Sequence, residues 1–350
     1  MFAENQLVNF SVIGAGHIGK RHAEMIRRNP EARLVAACDI LPADKTGFKV
    51  EDARYFLSAE EMLNAGLDID VVAVCSPNGL HAAHSLMVLE SKKHVVCEKP
   101  MALTKAECEK IIFKALQVSK NVFCVMQNRY SPPAVWIKDI IEKGVLGKIF
   151  MVQVNCYWNR DERYYKNGSW KGVAEMDGGT LFTQFSHFID IMYWLFGDIT
   201  DIKGQFNNFS HKNVIDFEDS GIVSFRFVNG GMGCLNYSTS VWDKNMESSM
   251  TIIGSNGSVK IGGQYMNEVE YCQVKDYVMP ELPGASPAND YNGYKGSASN
   301  HHFIIENVID SLKGRTTITT NALEGMKVVE MIERIYSHRP EHLLNKVLRK

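Results

Sequence analysis

The chain has no CxxC pair among its eight cysteines (Cys38, Cys75, Cys97, Cys108, Cys124, Cys156, Cys234 and Cys272), and that absence removes zinc ribbons and thioredoxin-like redox centres from consideration. The cysteines are scattered, and several end apolar runs, as in "VAAC", "VAVC" and "HVVC". They read as buried reduced thiols of a cytoplasmic protein. A charge of one sign is equally lacking. The formal net charge of −2, the pI near 6.6 and the absence of long like-charge runs leave no footprint for nucleic acid or an anionic membrane. The opening "MFAENQLVNF" lacks the basic segment and apolar stretch of a signal peptide, and no later run is long enough to span a bilayer. Fixed-period repeats and low-complexity linkers are missing too. No pair of His or acidic residues has metal-ligand spacing, and the tandem His301-His302 points two ways on a helix, so no metal is expected. A small-molecule partner is what these absences leave.

What is present is apolar content of 45% in 350 residues, enough for two domains with cores of their own. The first third alternates short apolar runs, "LVNFSVIG" (7–14), "ARLVAACD" (32–39), "IDVVAVCS" (69–76), "KHVVCEK" (93–99) and "NVFCVMQ" (121–127), with helical spacing over Ile18 to Arg28, Leu80 to Glu90 and Lys105 to Ser119. Such alternation predicts right-handed βαβ units in a parallel, doubly wound α/β sheet, its Val- and Ala-rich strands buried on both faces. After about residue 128 the texture changes. One helical segment, "SPPAVWIKDIIEKG", leads into "IFMVQVNCYW", "DSGIVSFRFVNGGMGCLNYSTSVW" and "SSMTIIGSNGSVKI", which read as antiparallel strands, the second with a hairpin at Gly230-Gly231. Helices are expected near 180–196, 300–313 and 320–338, and 278–299 reads as a long binding loop. The expected domains are 1–127, binding a dinucleotide, and 128–350, binding substrate and forming oligomers through an exposed apolar sheet face.

In "VIGAGHIGKRH", Gly14, Gly16 and Gly19 fall in GxGxxG spacing between a strand and a helix. The first glycine permits a tight turn, the second a close approach to a pyrophosphate, and the third close helix–strand packing; the helix N-terminus then receives the phosphates. Asp39 ends the second strand about 20 residues further on, where it accepts from ribose hydroxyls and repels a 2′-phosphate, so NAD(H) is expected over NADP(H). Ser76, Pro77 and Asn78 end the next strand and are open to two readings, ordinary turn chemistry or the wall of a nicotinamide pocket. Then "HVVCEKP" delivers Glu98, Lys99 and Pro100 where the carboxyl end of a strand meets its loop. Strand ends surface polar residues anyway, but ligands of open α/β sheets bind at those ends.

Three motifs in order, "GAGHIG", "CSPNGLH" and "EKP", resemble those of the glucose-fructose oxidoreductase / inositol dehydrogenase / MocA family, and the resemblance spans essentially the whole chain. It implies a Rossmann domain followed by a domain with a large, open, mostly antiparallel sheet, assembled as homodimers or homotetramers. It implies that Lys99 lies beside the nicotinamide and the substrate hydroxyl. "DGGTLFTQFSHFIDIMYWLFG" matches the family's Gly-Gly turn and HxxD helix, which implies a catalytic role for His187 with Asp190 as its partner acid. Many members carry an Asp four residues before that histidine; here stand Thr183 and then Gln184, so a carboxylate is missing from the polyol-binding constellation. The subgroup with an amide at this pair includes UDP-N-acetylglucosaminuronate 3-dehydrogenases, and "YWNRDERYYKNGSWKG" (157–172) and "GYKGSASNHH" (293–302) are similar to theirs. The implied cofactor set is Gly14, Gly16, His17, Ile18, Gly19, Asp39, Ser76, Pro77, Asn78, His81, Glu98, Lys99 and Gln127.

Alcohol oxidation needs a hydride acceptor held against the carbinol carbon, a group that takes the hydroxyl proton, and fixed orientation. An imidazole near its usual pKa suits the proton acceptor, though a lone His in an aromatic helix is more often structural. Asp190, three residues on, shares its face and either orients the ring or belongs to a local polar patch. Lys99 is placed to hydrogen-bond the reacting hydroxyl and stabilise developing alkoxide. Arg160 and Arg163 suit a carboxylate or diphosphate, against the alternative of a solvated charged loop. Tyr164, Tyr165 and Trp170 either stack on sugar or base or fill a core. Asn128, Arg129 and Tyr130 at the domain junction, and Ser299, Asn300 and His301 at a helix start, complete the expected substrate set beside Thr183, Gln184 and His187. The competing functions are an inositol or free-sugar dehydrogenase, an NAD-dependent glycosidase, and a non-catalytic NAD-bound sensor.

Overall fold

A computed structural model describes residues 2–51, 53–165, 169–290, 294–340 and 343; parts of the 157–172 motif, the 293–302 motif and the 278–299 loop therefore lie outside the described residues. In chain order the elements are β1 (Val8–Ile13), α1 (His17–Arg28), β2 (Ala32–Cys38), α2 (Ala43–Thr46), β3 (Arg54–Phe56), α3 (Ala59–Asn64), β4 (Val71–Val74), α4 (His81–Glu90), β5 (His94–Cys97), α5 (Lys105–Gln117) and β6 (Val122–Cys124). There follow α6 (Pro132–Glu142), β7 (Ile149–Tyr157), α7 (Ala174–Asp177), α8 (Ser186–Phe196), β8 (Ile199–Asn207), β9 (Ser220–Phe227), β10 (Met232–Ser238), β11 (Glu247–Gly254) and β12 (Gly257–Gly262). The chain closes through β13 (Glu268–Val274), β14 (Ala288–Asp290), β15 (Lys295–Ala298), α9 (His301–Leu312) and α10 (Ala322–Tyr336). Two compact units form, one from residues 1–126 and 301–329, the other from 127–300 and 330–350. The first break lies beside the expected boundary, but α9 and the start of α10, assigned by sequence to the second domain, group with the first unit.

The first unit is a six-stranded parallel sheet in the order β3-β2-β1-β4-β5-β6, so the order of strands reverses between β1 and β4. Its central strands are buried on both faces, as their unbroken apolar runs predict. Helix ends obey local rules: Arg27 and Arg28 oppose the carbonyl end of α1, and Thr104 and Glu107 close a capping box on α5. After α9 the chain runs beside β6, where Cys124 N–H donates to Thr320 O at 2.9 Å and Asn321 bridges Phe123.

The second unit carries a seven-stranded sheet, β13-β12-β11-β7-β10-β9-β8, antiparallel throughout except for the central β7–β10 pair. β9 shows why it has one dry face: Gly221, Val223, Phe225 and Phe227 are buried while Ile222, Ser224 and Arg226 between them are exposed. Against this dry face Trp158 meets Phe185 and Phe188 edge-on, and Phe185 meets Tyr237 at 5.8 Å between centroids. The 278–299 segment is not a plain loop, since β14 and β15 pair within it. Among the described residues no helix is long and apolar enough to cross a membrane.

Candidate active site

At the strand reversal of the first unit, Gly14 adopts a φ of +93°, and a Cβ there would lie 2.6 Å from Cys75 O, so the loops after β1 and β4 abut. A Cβ on Gly19 would overlap Gly14 O, whereas one on Gly16 would meet nothing within 4 Å. Gly16 and His17 are exposed, and Ile18 is half-buried. The turn therefore leaves open backbone at the start of α1, the cradle a pyrophosphate requires. Asp39 is fixed at the end of β2, its Oδ2 accepting from Ala15 N–H at 2.7 Å and its Oδ1 from Leu41 N–H at 3.0 Å. These residues fit a dinucleotide with a free ribose diol.

Beyond β4, His81 is buried with Nδ1 2.6 Å from Pro100 O and Nε2 2.8 Å from Ser76 O, and His84 Nδ1 meets Ser76 Oγ at 2.8 Å. His81 thus ties the Ser76–Pro77–Asn78 turn to the EKP loop rather than extending towards a ligand; burial lowers its pKa against the pull of both carbonyls. The Lys99–Pro100 peptide is cis. Glu98 turns inward. Its Oε1 lies 2.8 Å from His22 Nε2 and 3.5 Å from His301 Nε2, while Oε2 accepts from Lys99 N–H at 3.2 Å. Burial acts to raise this carboxyl, but the two imidazoles outweigh it and hold it well below the usual carboxylate range. Lys99 itself is half-buried at the sheet's carboxyl edge.

His22, Glu98 and His301 have ligand atoms close enough for a metal ion. Their surroundings argue for a charge network instead: both Nδ1 atoms are buried without a hydrogen-bond partner, where metal-bound imidazoles ordinarily donate from the second nitrogen. His301, expected to meet substrate, is accordingly an internal residue packed edge-on to His22. His22 was missed by sequence; its place three residues after Gly19, on the buried side of α1, was the available signal.

In the second unit, a turn at Gly178 and Gly179 with φ of +85° and +125° leads into a π-helical turn, Leu181–Phe185, which runs on into α8. Leu181 N–H donates to Tyr336 Oη at 2.7 Å, and Tyr336 donates to buried Glu218 at 2.6 Å, so the turn is anchored from α10. His187 is buried one residue inside α8. Asp190, one turn further, receives Arg129 on both carboxylate oxygens at 2.7 and 2.8 Å, with the guanidinium over Trp194. Arg129, expected at the domain junction as a substrate contact, forms a buried ion pair with Asp190.

Arg160 is only 2% exposed. Its Nε donates to Gln184 Oε1 at 2.6 Å, its Nη1 to Asn159 O and Asn245 Oδ1, and its Nη2 to Lys295 O. Trp158, Tyr164 and Tyr294 surround the guanidinium at 4.7 to 5.3 Å, and Lys171 Nζ stands 3.9 Å from the Tyr164 ring. Gln184 also donates to Tyr164 Oη at 2.7 Å. Arg163, by contrast, is an exposed loop residue paired with Asp161 and Asp243. Tyr165 fills a core with Ile215 and Phe217, and Trp170 is half-buried. Asn128 Oδ1 accepts from Ser297 at 2.8 Å while its Nδ2, like Gln127 Oε1, is buried without a partner. Asn300 spends its amide on Gln127 O and Ser131; Ser299 and Tyr130 are half-buried nearby.

A doubly wound sheet with a glycine cradle and an acid fixed at the end of β2, joined to a largely antiparallel sheet with a buried histidine helix, defines a dinucleotide-dependent oxidoreductase. Residues 8–126 match the NAD-binding Rossmann fold of an oxidoreductase family, and residues 135–260 match the GFO/IDH/MocA C-terminal domain. The chain belongs to the GFO/IDH/MocA family of oxidoreductases, with an NAD-binding Rossmann domain. It is similar to the WlbA dehydrogenase from Bordetella pertussis, solved with NADH and UDP-GlcNAcA, at 29% identity and a TM-score of 0.82 over 95% of this chain and 96% of that one. The WlbA structure from Chromobacterium violaceum, with the same two ligands, gives 29% identity and 0.83 over 96% and 94%. Levoglucosan dehydrogenase of Pseudarthrobacter phenanthrenivorans is 25% identical over 77% of each chain.

Proposed function

We propose that the chain oxidises a secondary hydroxyl, at C3, of a UDP-linked 2-acetamido-uronic acid. The observation that carries this reading is the 29% identity, along nearly the full length, to two dehydrogenases crystallised with NADH and UDP-GlcNAcA. When bound, the dinucleotide supplies the hydride acceptor. Lys99 hydrogen-bonds the reacting hydroxyl and stabilises negative charge developing on its oxygen, and His187 takes the proton. Asp190, fixed by Arg129, holds the register of the histidine helix. Lys171, beside Tyr164 and Tyr294, gives the second unit a cationic, aromatic element suited to an anionic sugar nucleotide, and buried Arg160 braces it through Gln184, Asn245 and Lys295. The spare Gln127 Oε1 and Asn128 Nδ2 offer further polar contacts.

The test is NADH formation from NAD with the UDP-linked acid, compared with levoglucosan and myo-inositol. The nucleotide-sugar is expected to be oxidised with the highest kcat/KM, and Lys99→Met is expected to lower turnover at least about 100-fold while NAD binding survives. Faster oxidation of a free sugar would replace this reading with the second one, a free-sugar dehydrogenase, which the likeness to levoglucosan dehydrogenase favours.

A further inference from the structure

Two imidazoles far apart in the chain meet under the EKP loop. His22 comes from the buried side of α1, and His301 is the first residue of α9. Their rings pack edge-on with centroids 5.4 Å apart, and both turn Nε2 to one oxygen, Glu98 Oε1, at 2.8 Å from His22 and 3.5 Å from His301. All three side chains are buried. For stability alone, a well-packed apolar trio serves as well as a buried charge with its partners. The network therefore calls for another use.

An ionised carboxylate has no proton to give, so a nitrogen that bonds it must be the donor. His22 Nε2 accordingly carries its proton towards Oε1. Burial by itself drives Glu98 towards its neutral form; the two imidazoles reverse this and hold the carboxyl well below the usual range. His301 is the weaker partner: burial lowers its pKa against the attraction of Glu98, and neither of its ring nitrogens makes a hydrogen bond. The second carboxylate oxygen, Oε2, accepts from the backbone N–H of Lys99 at 3.2 Å. Negative charge on that oxygen makes the bond stronger than one to an amide or a neutral acid. One residue further on, Pro100 O meets His81 at 2.6 Å, so the loop is gripped on both sides of the lysine.

We propose that His22 and His301 are positioning residues for Lys99: they keep Glu98 ionised, and the ionised carboxylate fixes the lysine backbone at the carboxyl edge of the parallel sheet. This rests on the reading of Lys99 above and deepens it. His22 carries most of the effect, being the ring that donates, and α9 gains a part in the reaction through His301.

The experiment has a kinetic and a spectroscopic arm. The first measures kcat on the UDP-linked acid, or on the free sugar if that is what the chain oxidises, and NAD affinity separately, in His22→Phe, His22→Gln, Glu98→Gln and the double variant Glu98→Gln with His22→Phe. His22→Phe should lower kcat about tenfold or more while NAD affinity changes less than about threefold. His22→Gln, whose amide can still donate to Oε1, should recover most of that loss. Once Glu98 is Gln, adding His22→Phe should cost little more, because the charge through which His22 acts is already gone. An unchanged kcat in His22→Phe, or equal losses with and without the Glu98 carboxylate, overturns the role.

The spectroscopic arm needs no turnover. In protein with isotope-labelled lysine, the Lys99 amide proton, identified by its loss in Lys99→Met, should move upfield in Glu98→Gln and in His22→Phe, and by less in His301→Phe. An amide resonance that stays in place in the first two overturns the proposal whatever the substrate. Normal turnover by Lys99→Met with a moving amide fails the chemical reading of Lys99 and leaves the brace standing. An inactive Lys99→Met whose wild-type amide ignores His22 fails the brace alone.

Discussion

Glu98 shows how a single side chain serves the loop beside it: one oxygen engages the imidazoles of His22 and His301, the other the N–H of Lys99. The Arg129–Asp190 pair does the same for the histidine helix, with side chains at 1% and 0% exposure. Removing one partner of such a pair leaves an uncompensated buried charge. Asp190→Ala is therefore expected to cost about 3–5 kcal/mol in denaturant unfolding, and a loss below about 1 kcal/mol would show the pair to be dispensable. Sequence exposed the identity of such residues better than their loading. Lys99, His187, Gly14, Gly16 and Asp39 could be named from motifs because their spacing is local. That Asp190 faces Arg129, that Arg160 is caged by aromatics, and that Asp177 backs Thr183 depend on chain crossings that no spacing encodes.

Among elements, the π-helical turn before α8 depends on a glycine that nothing else can replace. Gly179 has a φ of +125°, and a Cβ there would stand 2.6 Å from Tyr336 Oη. Gly179→Ala must both adopt that backbone and displace the tyrosine that binds Leu181 and Glu218. It should destabilise the chain by about 2 kcal/mol or more in thermal or denaturant melts, and an unchanged melting point would refute the anchoring role of Tyr336. The turn itself was not legible in the sequence, where 180–196 reads as one helix. The five apolar runs of the first unit were legible, since strands buried on both faces announce themselves; β3, β8 and β13 were not. β3 has three residues, and β8 and β13 end the seven-stranded sheet with mixed polar sequences, "ITDIKGQFN" and "EVEYCQV", that lack a continuous apolar side.

For the whole molecule, the wet face of the second sheet carries Met151, Ile222 and Met232 among Gln153, Asn155 and Asn236. This mixed face is proposed as the surface on which copies of the chain associate, a less purely apolar one than composition led us to expect. Light scattering should give a dimer or tetramer, and Ile222→Arg together with Met232→Arg should lower the mass towards one chain; an unchanged mass would move the contact elsewhere. The expected roles of the two domains, cofactor and substrate, remain part of the proposed function.

The first unit is discontinuous: residues 301–329 complete it, contributing His301 to Glu98, Thr320 and Asn321 to the β6 edge, and Lys313 and Arg315 to Glu31. On the ribosome, then, the nucleotide-binding half is the first to emerge and cannot be the first to finish. Its last helix arrives only after the intervening 174 residues have been made, so nascent chains should gain full protease resistance in this half late in synthesis, and a chain stopped after Met126 should remain a protease-sensitive fragment.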